Sequence, residues 1–211
     1  MRVTLTFDNG PTPGVTEDVL AALAEHGVRA TFFVVGNDLR DRGVRALAER
    51  AAAEGHWLGN HTMTHSVRLG EADGDDVVRF EIEGAQRELD GLAHPDRLFR
   101  PFGDGVLSAG LLGAAAVREL ERGRYTCVLW NCVPRDWEDP DGWVDRCLDD
   151  VASRDWSLVV LHDTATGAMA QLPRFLSRLA AMGVEVTHEF PDECVPIRRG
   201  VVRGTIDHLL A

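Results

Sequence analysis

Basic residues, long apolar runs and aromatic side chains are all scarce in this chain of 211 residues. Lysine and arginine together number 22 against 34 aspartates and glutamates, which gives a net charge of −12. That charge repels phosphate backbones and anionic lipid headgroups, so the composition argues against nucleic-acid and membrane-surface partners. No apolar run reaches the roughly 18 residues that predict a membrane-spanning helix. The expected partner is neutral or cationic.

Cysteines are also few, and their spacing matches neither a zinc ribbon nor a Cys-X-X-Cys redox pair; they are Cys127, Cys132, Cys147 and Cys194. A chain of this length buries roughly 70% of its unfolded surface, so it does not need disulfides. We therefore expect reduced, mostly buried thiols. The chain opens on Met-Arg-Val-Thr-Leu-Thr-Phe, which is typical of a strand rather than a signal peptide and favours a cytoplasmic location.

Short β-branched and aromatic runs alternate with longer amphipathic stretches along the whole chain. The predicted strands are residues 3–7, 30–35, 57–60, 97–100, 126–131, 158–162 and 184–187. Apolar residues at three-to-four spacing predict helices over residues 16–26, 44–54, 75–92, 108–122, 142–153 and 170–182.

This alternation predicts an α/β fold, namely a distorted, incomplete (β/α) barrel with about seven parallel strands and helices outside. No low-complexity linker, internal repeat or compositional break occurs, so residues 1–211 are expected to form a single domain. After Glu189 the sequence loses its periodicity. We expect this tail to wrap around the barrel before a short last helix.

Polar and ionisable side chains follow most of the predicted strands. In parallel α/β folds, reactive groups collect at the carboxyl ends of the strands, where the loops converge. We therefore expect one candidate site at this end of the barrel, built from segments of five different loops. Those segments are Asp8-Asn9-Gly10-Pro11, His61-Thr-Met-Thr-His65, Arg100-Pro101-Phe102-Gly103, Arg135-Asp136-Trp137 and Leu161-His162-Asp163.

His61 and His65 are a candidate metal pair. On one helical turn, two imidazoles at this spacing face the same direction about 6 Å apart, close enough to hold one ion. The spacing alone is equally compatible with two solvated histidines. A carboxylate from the first strand favours a metal site, because imidazole and carboxylate together are the usual ligands of zinc and related metals. Asp8 could supply that carboxylate or act as a base.

Taken together, the five segments resemble the motifs of the polysaccharide deacetylase family, the carbohydrate esterases of the chitooligosaccharide deacetylase type. Thr6-Phe7-Asp8-Asn9-Gly10-Pro11 is similar to the first motif and His61 to His65 to the second. The third, fourth and fifth motifs are similar to Arg100-Pro101, Asp136-Trp137 and Leu161-His162, and Ala30-Thr31-Phe32-Phe33-Val34 with Gly36 matches the family's second strand. Five ordered motifs covering nearly the whole chain are a specific signal.

The resemblance implies a hydrolase that removes an acetyl group from an amide nitrogen with the help of a divalent metal such as zinc. Asp8 would be the general base that activates water, and Arg100 would pair with it and set its ionisation. Asp136 would orient His162, the general acid that protonates the departing amine. The implied metal ligands are His61, His65 and Asn9, and the implied substrate-binding residues are Leu161, Trp137 and Phe102.

Asn9 departs from the family pattern, which has a second Asp at this position. An amide oxygen is neutral and a poorer donor than a carboxylate, so the affinity for a divalent ion is expected to fall. Three readings stay open. The site binds a metal through Asn9 and water, it hydrolyses a linear or cyclic amide without metal as in allantoinase-like relatives, or the barrel is a catalytically impaired binding module.

The sequence also bears on the substrate. With one Tyr and five Trp, the chain has few platforms on which a long glycan could stack. A small N-acetylated or otherwise amide-bearing molecule, or an oligosaccharide, is therefore the expected substrate. The oligomeric state is left open.

Overall fold

All nine strands of the chain belong to one curled sheet. The computed structural model describes residues 1–211. The strands are β1 (Arg2–Asp8), β2 (Thr31–Val34), β3 (Trp57–Asn60), β4 (Leu98–Phe99), β5 (Thr126–Cys127), β6 (Trp156–His162), β7 (Glu185–Val186), β8 (Ile197–Arg198) and β9 (Val201–Val202). Their order is β6-β1-β2-β3-β4-β5-β8-β9, with β7 paired to the start of β1.

The sheet curls so far that the segment following β5 forms a short bridge to β6. The pairs from β6 through β5 are parallel, as are β1 and β7. Beyond β5 the chain reaches Cys132, whose N–H donates to the Leu158 carbonyl at 3.2 Å and whose carbonyl accepts from the Val160 N–H at 3.0 Å. This bridge links the β5 side to β6. The predicted distorted, incomplete (β/α) barrel with seven parallel strands is confirmed.

Seven α-helices surround the sheet, mostly close to their predicted positions. They are α1 (Thr16–Glu25), α2 (Arg42–Ala53), α3 (Asp75–Arg79), α4 (Ala85–Glu88), α5 (Ala114–Arg122), α6 (Trp143–Ala152) and α7 (Leu172–Ala181). The helix predicted over residues 75–92 ends at Glu88 and contains a π-helical segment, Phe80–Gly84, between α3 and α4. None of the helices is long and apolar enough to cross a membrane.

Three predicted elements differ from the structure because tertiary pairing competes with local periodicity. The helix predicted from residue 108 begins only at Ala114, since the Gly110 carbonyl accepts from Gly70 and Leu112 pairs with the tail. β5 ends at Cys127 rather than at residue 131. The tail forms the antiparallel pair β8–β9 beside β5, and its last helical turn, Asp207–Leu209, is 3-10 rather than α.

Strand β1 shows how the fold positions the site. Its outward side chains Val3, Leu5 and Phe7 pack into the hydrophobic core beneath the helices. Because side chains alternate along a strand, Thr6 and Asp8 point into the barrel instead, where both are fully or almost fully buried. The apolar face thus anchors the strand while the polar face supplies chemistry. All four cysteines are buried and free, as predicted.

Gly59 on β3 leaves room for an aromatic ring inside the barrel. A Cβ at this position would lie 2.6 Å from the Phe33 ring and 3.2 Å from the Leu98 Cβ. The Phe33 ring in turn lies 4.1 Å from the Arg100 guanidinium carbon. A side chain at residue 59 would therefore clash with the Phe33 ring, which packs against Arg100.

We predict that Gly59→Ala lowers the free energy of unfolding by about 1–3 kcal/mol, the usual cost of overpacking a core. Urea denaturation followed by circular dichroism measures the change. Gly84→Ala is the matched control, because its Cβ would meet only ordinary contacts at 3.5 Å and its backbone is helical. Equal stability of the Gly59 variant and the wild type would contradict the proposed packing.

Candidate active site

One cavity of about 550 Å³ lies at the carboxyl ends of the strands, within the usual size range of small-molecule sites. Segments that are far apart in the sequence converge on it. Of the predicted site residues, those that line it are Asp8, Asn9, His61, His65, Trp137 and His162. Arg100 and Asp136 are fully buried behind the lining residues and bond to them.

Asp8 and Arg100 form a buried ion pair at the floor of the cavity. Arg100 Nη1 donates to Asp8 Oδ1 at 2.7 Å and to Thr6 Oγ1 at 2.8 Å. Its Nε and Nη2 donate to the carbonyls of Val128 and Leu129. Burial acts to raise the pKa of Asp8, but the Arg100 charge, helped by His61 and His162, outweighs it and holds the pKa below its usual value. The carboxylate is therefore ionised at neutral pH.

His61 and His65 lie together, with ring centroids 4.7 Å apart, but they do not lie on a helical turn. The predicted helical geometry is wrong for this segment. The chain after β3 forms an irregular loop in which Thr62 and His65 adopt left-handed conformations, with φ of 68° and 52°. Backbone torsions in the loop, and not the 3.6-residue period, bring the two rings together.

Both imidazoles are held neutral. Burial lowers the pKa of His61, although the nearby Asp8 carboxylate acts in the opposite direction. Burial, with a smaller contribution from His61, lowers the pKa of His65 to about 3. His61 Nδ1 donates to the Arg100 carbonyl at 2.9 Å, which leaves Nε2 as the free acceptor. That Nε2 lies 3.5 Å from Asp8 Oδ2.

Asn9 offers an amide oxygen without a partner. Its side-chain Oδ1 is buried and accepts no hydrogen bond from the protein. The residue has a φ of 73°, a left-handed conformation that Asn tolerates better than most residues. A buried, unpartnered oxygen that lines the same cavity as two neutral imidazoles is suited to an electropositive group.

Asp136 fixes His162 at two points. Its Oδ2 accepts from the His162 backbone N–H and its Oδ1 from Nδ1, both at 2.9 Å. With the proton on Nδ1, the other ring nitrogen is directed away from Asp136. Burial acts to lower the pKa of His162, but the hydrogen bond and charge of Asp136, together with Asp8, outweigh it, so the pKa is raised.

The first-strand acid and the sixth-strand imidazole are direct neighbours. Asp8 and His162 are register partners on the parallel strands β1 and β6, and neighbouring strands lie about 4.8 Å apart. Both side chains line the same cavity. An ionised carboxylate and an imidazole with a raised pKa therefore stand side by side, which suits them to remove one proton and deliver another.

Two predicted substrate-binding residues do not line the cavity. Leu161 belongs to the hydrophobic core under the helices and is fully buried there. Its neighbour Val160 lines the cavity instead, because alternation along β6 puts residues 160 and 162 on the same face. Counting back two residues from His162 would have found it. Phe102 does not line the cavity but packs edge-on against His65, with ring centroids 4.5 Å apart.

Several other lining residues lie outside the motifs that predicted the site. Trp130 is held by a hydrogen bond from its Nε1 to the Gly105 carbonyl at 3.1 Å. The remaining lining residues that sequence reasoning missed are Asp104, Gly105, Val106, Val133, Glu138 and Thr164, while Arg135, from a predicted segment, also lines the cavity. Most belong to irregular loops, where no periodicity predicts direction. Trp137, which was predicted, stands edge-on to His162 with centroids 4.7 Å apart.

Asp163 packs against the segment between β1 and α1. It is fully buried, and its Oδ2 accepts from Thr16 Oγ1 at 2.6 Å. A Cβ on Gly10 would lie 2.1 Å from both carboxylate oxygens, so this contact requires glycine. Burial raises the pKa of Asp163 to about 6.

A curled parallel barrel with a carboxylate–imidazole pair at the carboxyl ends of its strands defines a hydrolase-type acid–base site. The polysaccharide deacetylase profile matches residues 1–109, about half of the chain. A chitooligosaccharide deacetylase of Sinorhizobium fredii is 41% identical over 167 residues, which cover 76% of this chain and 71% of the relative. The chain belongs to the polysaccharide deacetylase family.

Two further relatives agree with this assignment. A peptidoglycan-N-acetylglucosamine deacetylase of Bacillus cereus is 30% identical over 188 residues, which cover 86% of this chain and 83% of the relative. The solved family 4 carbohydrate esterase from Streptomyces lividans, in complex with acetate, superposes with a TM-score of 0.75. It is 27% identical and the match covers 94% of this chain and 96% of that one.

We predict that Asp136→Asn lowers the pKa of His162, because the substitution removes the negative charge that offsets burial. Titration of the histidine ring protons by NMR measures the shift. A raised pKa stabilises the fold below the unfolded-state value near 6.5 and loses that contribution as pH rises through the folded-state value. The variant should therefore lose stability mainly on the acid side.

The titration of His56 is the internal control, because this histidine hydrogen-bonds the Ala30 N–H and lies outside the cavity. An unchanged pKa of His162 in the variant would show that Asp136 does not set its charge.

Proposed function

We propose that this chain is an N-deacetylase that hydrolyses the acetamide group of an amino-sugar oligosaccharide. Family membership and the named activities of the relatives support deacetylation of such substrates. The observation that carries the proposal is that Asp8, held ionised by Arg100, lines one cavity with His162, held by Asp136.

The roles follow from the protonation states. The ionised Asp8 carboxylate accepts a proton from the attacking water while the oxygen bonds to the amide carbon. His162, whose raised pKa favours the protonated form, then donates a proton to the amine nitrogen as the C–N bond breaks. Acetate and a free amino sugar leave. Val160 and Trp137 provide an apolar wall suited to the acetyl methyl group.

The residues present fit a divalent metal ion, although one of the three donors is a neutral amide oxygen rather than a carboxylate. No group of three His, Cys, Asp or Glu side chains is placed to hold an ion. His61, His65 and the unpartnered Oδ1 of Asn9 would hold it instead, with Asn9 at the position that the family resemblance gives to a second Asp. When bound, zinc or a similar ion would polarise the substrate carbonyl and lower the pKa of the attacking water.

Two alternatives depend on the same residue. A neutral ligand at position 9 favours either an amide or cyclic-amide hydrolase that works without metal, or a binding module with impaired catalysis. Both retain the cavity and the Asp8–Arg100 pair. A metal-independent hydrolase would keep its turnover when metal is removed, whereas the metal-assisted deacetylase would lose it. A binding module with impaired catalysis would show little or no turnover under either condition.

The decisive experiment for the function measures acetate release from N-acetylglucosamine oligosaccharides in the presence of zinc. We predict that Asp8→Asn lowers kcat at least 10²-fold, which is the usual contribution of a general base. Asp76→Asn is the control, because this carboxylate is 96% exposed on the protein surface. Wild-type rates in the Asp8 variant would rule out the proposed mechanism.

The ligand at position 9 decides between the alternatives. We predict that Asn9→Asp raises zinc affinity at least about tenfold, because a full negative charge replaces a neutral oxygen. Isothermal titration calorimetry measures the affinity, and acetate release is followed in the same samples with and without a chelator.

The outcomes separate the three readings. Chelator-sensitive turnover in the wild type supports the metal-assisted deacetylase, and chelator-resistant turnover supports the metal-independent hydrolase. Turnover that appears only in Asn9→Asp supports the impaired module. Zinc affinity that is no higher in Asn9→Asp would show that residue 9 is not a metal ligand.

A further inference from the structure

Glu81 is a buried carboxylate that has no role in the proposed acid–base chemistry. It lies in the π-helical segment Phe80–Gly84, is 2% exposed, and does not line the cavity. Its Oε2 accepts from the backbone N–H groups of Met63 and Thr64 at 3.0 and 2.9 Å. Its Oε1 accepts from Thr64 Oγ1 at 2.7 Å. All three hydrogen bonds reach the loop that carries His61 and His65.

That loop holds an unfavourable backbone conformation. Thr62 and His65 have positive φ values, a region that residues with a Cβ rarely adopt and that is least favourable for a β-branched side chain. Such a conformation persists only where its surroundings fix it. The position of the His65 ring therefore depends on what holds the loop.

Neighbouring segments fix the first half of the loop. Asn60 Oδ1 accepts from the Thr62 N–H at 2.9 Å. The carbonyls of Thr62 and Met63 accept from the N–H groups of Gly36 and Asn37, both at 2.9 Å. The amides of Met63 and Thr64, which directly precede His65, donate to Glu81. Glu81 thus restrains the half of the loop that ends at His65.

The π-helical segment explains how a helix residue reaches this loop. Single π turns inside α-helices occur often at functional sites, because they redirect side chains. Here the segment supplies the Glu81 carboxylate and also the Ile82 carbonyl, which accepts from Asn60 Nδ2 at 2.8 Å. Two consecutive residues of the segment therefore hold both ends of the loop that carries His61 and His65, which we call the histidine loop. Ile82 holds Asn60, where the loop leaves β3, and Glu81 holds Met63 and Thr64.

We propose that Glu81 is a positioning residue that holds His65 in place to act together with His61. This inference rests on the proposed function insofar as the two imidazoles bind a metal. Glu81 hydrogen-bonds to neither imidazole and does not line the cavity. It acts through the loop backbone, by setting the distance and direction of the His65 ring relative to His61 and to the Phe102 ring.

The first test measures zinc affinity by calorimetry in Glu81→Ala and Glu81→Gln. We expect Glu81→Ala to bind zinc about 10- to 100-fold more weakly, the usual effect of losing a residue that orients a ligand. Glu81→Gln retains an acceptor oxygen and should lie between Ala and the wild type. Glu119→Ala is the matched control, since Glu119 is buried, pairs with Arg122 on α5, and does not line the cavity.

A double variant shows whether Glu81 acts through His65. In a His65→Ala background, Glu81→Ala should cause no further loss of zinc affinity. A loss of equal size in both backgrounds would overturn the proposal, as would an unchanged affinity in the single Glu81 variants.

The second test does not need metal or activity. Nuclear Overhauser contacts between the ring protons of His65 and Phe102 should be present in the wild type and in Glu119→Ala, and be weakened in Glu81→Gln. If the wild type neither binds zinc nor releases acetate, the proposed function fails while this measurement still decides the role of Glu81. It also decides the role if Glu81→Ala does not fold. Unchanged ring contacts in Glu81→Gln would overturn the proposal.

Discussion

The buried pair of Asp8 and Arg100 is the interaction on which both the barrel and its chemistry depend. Arg100 has no exposed surface, and its guanidinium joins the end of β1 to the carbonyls that follow β5 across the interior. Removing one member of a buried ion pair costs about 3–5 kcal/mol, because the other charge is left without a partner. The contact that holds the two sides together is also the contact that keeps the carboxylate ionised.

The surroundings of that pair give three kinds of protonation state within one cavity. Asp8 is held charged by Arg100, while burial keeps His61 and His65 neutral. His162 is shifted towards its charged form by Asp136, although it lies on the strand beside Asp8. Groups whose pKa values are pushed apart in this way are suited to separate acid, base and ligand roles.

The outcomes for particular residues show where sequence reasoning was sufficient. Polar residues at the carboxyl ends of buried strands, such as Asp8 and His162, line one cavity as expected, because parallel strands bring their carboxyl ends to one edge. Leu161 was misplaced because a motif was followed without the two-residue alternation of β6. His61 and His65 lie together as expected, but through a loop with left-handed residues that no spacing rule predicts, and their role as metal ligands stays a prediction.

The sequence by itself determined the order of βα units, the candidate carboxylate and imidazole groups of the site, and the family, because these follow from local periodicity and from motifs. Only the tertiary structure decided that β8 and β9 pair antiparallel beside β5, that the Asn9 oxygen is left without a partner, and that Glu81 reaches the histidine loop. Those features join residues far apart in the chain, and such contacts are set by packing and hydrogen bonding in three dimensions, which a one-dimensional pattern does not encode.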